Sequence, residues 1–159
     1  MTNRDINIDV DGVLYPLLPL EEYSELGAFT KHLPLYGAVE FVRKLRKIAD
    51  DNNVALRFVT KTCSESQHLH LEHEIEKIKW LSIWMKADVD DICVLRSDEK
   101  KHHFHSGILI DDYGVNCEEW EKECKNNIAI QFGESKEKEW RIAENYNKVI
   151  QLVLETFHK

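Results

Sequence analysis

The chain has 159 residues, a formal net charge of −8, 43% hydrophobic and 31% charged residues. That length suits one domain with a substantial core, the acidic balance disfavours a general polyanion-binding surface, because phosphate backbones are gripped by clustered Lys and Arg, and no apolar run approaches the roughly 18–20 residues of a membrane helix. The opening residues MTNRDINIDVDG lack a basic stretch followed by a signal-like apolar core, and the four cysteines form no CxxC pair, so a reduced, cytoplasmic, single-domain protein over 1–159 is expected.

The first β-type run, Ile6 to Val10, ends in Asp9-Val10-Asp11-Gly12. Asp-Gly between apolar residues is a hairpin-turn signal, and paired carboxylates at a strand end are also an acid–base signal. An EF-hand loop does not fit, since Val13 stands where a third oxygen ligand is needed. Residues 15–36 hold all three prolines and follow neither a helical nor a strand period, which predicts a lid-like insertion or docking loop. Ala38, Phe41, Val42, Leu45, Ile48 and Ala49 then make one apolar helix face.

Val54 to Val59 is the second strand and ends in Thr60-Lys61-Thr62. A helix follows with Leu71, Ile75, Ile78, Leu81 and Met85 as its expected core face. Ile92 to Leu95, Ile108 to Ile110 (ending in Asp111-Asp112) and Ile128 to Phe132 are three more strands, with a helix starting near Asn116. Ile142, Tyr146, Val149, Ile150, Val153 and Phe157 form a final helical face. Alternating strands and helices predict an α/β fold, a Rossmann-like three-layer parallel sheet covered on both faces. Ligands of such sheets bind beyond the carboxyl ends of the strands, where Asp9, Asp11, Thr60, Asp111 and Asp112 would converge.

Those residue types suit phosphoryl transfer. Asp9 is placed to attack phosphorus and Asp11 to protonate the leaving oxygen. Asp111 and Asp112 complete a hard oxygen cage suited to Mg2+. Thr60 and a lysine of the following helix would bind phosphate oxygens.

The ordered set DVDGVL (9–14), a strand ending in Thr60, KIKW (77–80) and ILIDDYGVN (108–116) resembles the four motifs of the haloacid dehalogenase-like phosphatases, and within them the 5'(3')-deoxyribonucleotidase branch with its bacterial and phage relatives. The resemblance implies Asp9 as nucleophile and Asp11 as general acid and then base. It also implies Mg2+ held by Asp9, the Asp11 carbonyl and the Asp111/Asp112 pair, and phosphate held by Thr60 and Lys77, with Lys77 preferred over Lys79. Arg96 joins the implied substrate-binding set, and Lys61, which follows Thr60 at the strand end, is a further substrate-binding candidate.

This chain departs from that branch in following Thr60 with Lys61-Thr62 rather than Ser-Pro, and in a reduced cap at about 15–36. The implied function is a magnesium-dependent phosphomonoesterase acting on nucleoside monophosphates, without a stable nucleic-acid complex. The small cap also admits a polynucleotide end or a phosphoprotein, and a binding or regulatory protein on the same scaffold is the rival class. Asp111 and Asp112 have the alternative role of capping the following helix.

The remaining polar and aromatic clusters have structural readings. His68, His70, His73, His102, His103 and His105 read as solvated, lacking the spacing of zinc modules. Trp80, Trp84, Trp120 and Trp140 read as packing between helices and sheet. Glu118, Glu119 and Glu121 read as an exposed helix face, and the cysteines as small core residues.

Overall fold

The computed structural model describes residues 4–63, 66–133 and 141–158. In chain order the elements are β1 (Ile6–Ile8), α1 (Ala38–Asn52), β2 (Leu56–Lys61), α2 (Gln67–Trp84), β3 (Ile92–Leu95), β4 (Ile108–Asp111), α3 (Gly114–Glu123), β5 (Ile128–Phe132), β6 (Arg141–Ala143) and α4 (Tyr146–Phe157), with short 3-10 turns at Leu20–Ser24, Val89–Asp91 and Lys101–His103. The strands form one sheet in the order β3-β2-β1-β4-β5-β6, and every pairing is parallel. The chain therefore reverses its direction of travel across the sheet between β1 and β4, and a crevice opens at such a switch point.

Alternation along the strands sorts the core into two layers. Ile6, Ile8, Ile108, Ile110 and Ile130 pack with Phe41, Leu45 and Ile48 of α1, Trp80 and Leu81 of α2, and Val149 and Val153 of α4. Leu109 and Ala129 point the other way and pack on Cys117 and Trp120 of α3. The architecture is thus a Rossmann-like α/β sheet between two helical layers. No helix among the described residues is long and apolar enough to cross a membrane.

All six residues of the expected α1 face are buried, and five strands lie where the apolar runs place them. Asp11-Gly12 does form a turn, with Gly12 at φ +78° and its N–H bonded to the Tyr15 carbonyl at 2.8 Å. It makes no hairpin, because both neighbours of β1 run parallel to it.

Other expectations are corrected. The final helix starts at Tyr146, and Ile142 belongs to edge strand β6. On α2, Leu71 and Ile75 are exposed, while His70, His73 and Lys77 are buried beside Trp80 and Leu81. The expected face is therefore split: Leu81 and Met85 are buried in the core as expected, whereas toward the N-terminal end of the helix the inner side meets polar groups and the apolar residues lie outside. His70 and His73 are accordingly not solvated: His70 Nδ1 shares a 2.7 Å hydrogen bond with the Thr62 hydroxyl, and His73 Nε2 bonds the Glu25 carbonyl at 2.8 Å.

Trp80 and Trp120 are core residues, whereas Trp84 is partly exposed and Trp140 lies outside the described residues. Only Cys117 is a fully buried thiol among the described cysteines; Cys63 and Cys124 are exposed. The acidic run of α3 is half-buried rather than free: Glu119 pairs with Lys100 at 2.7 Å, and Glu121 accepts from the Ala129 N–H at 2.9 Å.

Candidate active site

β1 and β4 lie side by side, and the Asp9 N–H donates to the Ile110 carbonyl at 2.8 Å, so the acids that end these strands meet. Carboxylate oxygens of Asp9, Asp111 and Asp112 all lie within 4.8 Å of one another. Gly12 makes room for this approach. A Cβ at that position would fall 2.2 Å from Asp112 Oδ2, and its positive φ is one that glycine adopts without strain.

Three carboxylates so close need positive charge. Lys101, from the turn after β3, supplies some of it: its buried ammonium donates to Asp9 Oδ1 and to Asp111 Oδ2, each at 2.7 Å. Burial works against that charge, but Asp111 and Asp9 outweigh it and hold the ammonium well above the usual lysine range. One cation does not balance three anions. Burial, and then the repulsion of Asp9 and Asp111, pushes Asp112 up to about 8, and Asp111 is raised by burial and by Asp9. Lys61, half-buried nearby, has its ammonium pKa lowered by burial and by the neighbouring Lys101.

Asp111 also organises the start of α3, accepting the Tyr113 N–H at 2.9 Å and the Asn116 amide at 3.0 Å. Neither bond caps the helix: Tyr113 is the N-cap residue of α3 and takes no side-chain cap bond, so Asp111 braces the loop before the helix, and the expected capping role is not found. The residual negative charge and the all-oxygen donor set fit a hard divalent ion such as Mg2+.

Asp11 stands apart from the cluster. Its Oδ2 is bonded by Lys77 Nζ and by the Thr60 hydroxyl at 3.4 Å, and Lys77 also donates to Thr60 Oγ1 at 2.8 Å. Lys77 and Thr60 are both buried. Asp11 Oδ1 is inaccessible to solvent and has no hydrogen-bond partner among the described residues. With its carboxylate committed to Lys77 and Thr60, only the main-chain carbonyl of Asp11 remains for the metal role that the resemblance implies.

The structure thus brings together Asp9, Asp11, Thr60, Lys77, Asp111 and Asp112, with Lys61 close by. Lys79 faces solvent. Arg96 is not gathered in: it is exposed, and its guanidinium donates to Gln67 at 2.7 Å. Sequence reasoning missed Lys101. It sits beside Lys100 in a polar loop, and the one available signal was indirect: an acidic cluster with two buried members requires a cation from somewhere. No protein-family model matches the chain and no curated protein matches it significantly.

Proposed function

We propose that this chain is a magnesium-dependent phosphomonoester hydrolase of the haloacid dehalogenase-like type, with a reduced cap at 15–36 and a nucleoside monophosphate as its substrate. One observation carries this reading. Two carboxylates a single residue apart are held by two different lysines, Asp9 by Lys101 and Asp11 by Lys77, which gives them separate chemical roles.

Asp9 is the nucleophile. Lys101 holds its Oδ1, and its Oδ2 takes no hydrogen bond among the described residues. Attack forms an oxygen–phosphorus bond as the bond to the leaving oxygen breaks. Asp11 donates the proton that oxygen needs. Because Asp11 Oδ2 already accepts from an ammonium and a hydroxyl, Oδ1, which has no partner among the described residues, is the oxygen with capacity to carry that proton, and it must turn out of its solvent-inaccessible position to reach the leaving oxygen.

In the second half Asp11 Oδ1 takes a proton from water, whose oxygen attacks the aspartyl-phosphate. Inorganic phosphate leaves and the Asp9 carboxylate is restored. Asp9, Asp111 and Asp112 would hold the magnesium ion, which when bound offsets repulsion between the anionic site and an anionic phosphate. Lys61 and Lys101 contribute positive charge from the protein itself.

A second substrate reading, a phosphoprotein, is favoured by the insertion, which exposes Leu17, Leu20, Leu26, Leu33 and Tyr36. Exposed apolar side chains in one segment suit a protein surface better than a mononucleotide.

The test is release from p-nitrophenyl phosphate with Mg2+ and with EDTA, using the natural chain and Asp9→Asn. Turnover that requires the metal and falls at least about a thousandfold in Asp9→Asn supports the reading. Turnover that survives Asp9→Asn overturns it. A panel of mononucleotides and phosphopeptides then separates the two substrate classes.

A further inference from the structure

The insertion is held in an unusual way. From 25 to 32 its main chain is gripped by side chains of α2 and Tyr15. Glu76 Oε1 accepts the Gly27 N–H at 2.5 Å and Glu76 Oε2 the Phe29 N–H at 3.1 Å. His73 bonds the Glu25 carbonyl at 2.8 Å, and the Trp80 indole donates to the His32 carbonyl at 2.9 Å. The Tyr15 hydroxyl donates to the Ala28 carbonyl at 2.7 Å and accepts the His32 N–H at 3.2 Å. A carboxylate bridging two nearby amides fixes the path of the chain between them.

That path ends at the reactive centre. Phe29 is 2% exposed, packs edge-on to His73 with centroids 4.9 Å apart, and carries the Lys77 ammonium 4.2 Å from its ring centroid. Lys77 thus meets Asp11, Thr60 and an aromatic face. A lysine stem is flexible, and the ring face attracts the ammonium and gives it a further fixed neighbour beside Asp11 and Thr60.

We infer that Glu76 is a positioning residue for the proton-donating carboxylate of Asp11, acting through the docked 27–29 backbone, the Phe29 ring and Lys77. The inference rests on the reading of Asp11 as proton donor and adds to it a part for the insertion in the chemistry. It also predicts which substrates suffer when the docking is weakened. Nitrophenolate leaves without a proton, whereas the alkoxide of a nucleoside 5'-monophosphate must receive one. Misplacing Asp11 therefore penalises the second substrate and spares the first.

Glu76→Gln retains the side-chain shape but sets an amide N–H2 against a backbone N–H. Its kcat/KM for a nucleoside 5'-monophosphate should fall about tenfold, while that for p-nitrophenyl phosphate stays within about twofold. Phe29→Leu, which keeps apolar volume without the ring face, should give the same split. Equal losses on both substrates would mean a merely structural role and overturn the inference.

A second readout does not use turnover. The 15N signal of the buried Lys77 ammonium, assigned by its loss in Lys77→Arg, should shift or broaden in both Glu76→Gln and Phe29→Leu. An unchanged signal overturns the inference even if the phosphatase reading stands. Conversely, if the natural chain hydrolyses neither substrate, the phosphatase reading fails, and the Lys77 signal still decides whether Glu76 holds that ammonium in place.

Discussion

Replacing Lys101 by Met removes one positive charge while keeping a stem of similar length, and the structure sets the size of the effect. The lysine side chain is 3% exposed and contacts Asp9 and Asp111 at 2.7 Å each; Asp111 itself is fully buried. Removing one partner of a buried ion pair costs about 3–5 kcal/mol, because the charge left behind is uncompensated. For a chain of this size, roughly 2–4 °C of melting temperature accompanies each kcal/mol, so a loss of about 6–20 °C is expected at pH 8 in EDTA.

The loss should shrink at lower pH. Asp112 has its carboxyl pushed up to about 8, so the folded state holds protons that the unfolded chain releases at ordinary carboxylate pH. Carboxylates with raised folded values weaken the fold as pH climbs from about 4 toward 8, and protonation at pH 6 relieves part of the repulsion that the substitution exposes. Millimolar Mg2+ should restore stability by supplying the missing charge. The assay is thermal unfolding followed by far-ultraviolet circular dichroism at pH 6 and pH 8, with EDTA and with Mg2+. A shift below about 2 °C at pH 8 in EDTA would refute the view of Lys101 as the counter-charge of the cluster.

Magnesium binding to the natural chain, measured by titration calorimetry, should tighten by up to about tenfold per pH unit as pH rises toward 8, because the ion must displace the Asp112 proton; affinity that is flat from pH 6 to pH 8 would contradict this. Gly12→Ala combines a positive φ with a Cβ 2.2 Å from Asp112 Oδ2, so urea unfolding should report a loss of about 1–3 kcal/mol together with weaker Mg2+ binding. An unchanged urea midpoint would show that neither constraint operates.

The strands were legible because strands buried on both faces read as continuous apolar runs. β6 was not: Arg141–Ala143 holds one large apolar residue, Ile142, and its spacing to Tyr146 and Val149 fits the helical period that follows. On α2 the period held for Leu81 and Met85, which are buried, but not for Leu71 and Ile75, which are exposed. A hydrophobic stripe identifies which residues share a face and not which face turns inward. Here the inward face borders the insertion and the site, so it is built from His70, His73, Glu76 and Lys77, each satisfied by a hydroxyl, a carbonyl, amides or a carboxylate. Burial of such groups depends on partners distant in the chain, and no local pattern carries that information.

The same distinction explains which parts of the site could be read in advance. Asp9, Thr60 and Asp111 end or closely follow strands of one parallel sheet, and parallel strands deliver their carboxyl ends to one edge, so naming the strands was enough to bring these residues together. The lysines obey no such rule. Lys77 reaches Asp11 because α2 is rotated to bury it in preference to Lys79, and Lys101 reaches Asp9 and Asp111 because a 3-10 turn buries it while Lys100 turns to Glu119. Carboxylates at strand ends are placed by topology, whereas their counter-charges are placed by the demand of the carboxylates themselves. Where two buried acids and a third, half-buried one lie within reach of one another, the folded chain must bring a cation, and the lysine that can be desolvated beside them is the one that is recruited.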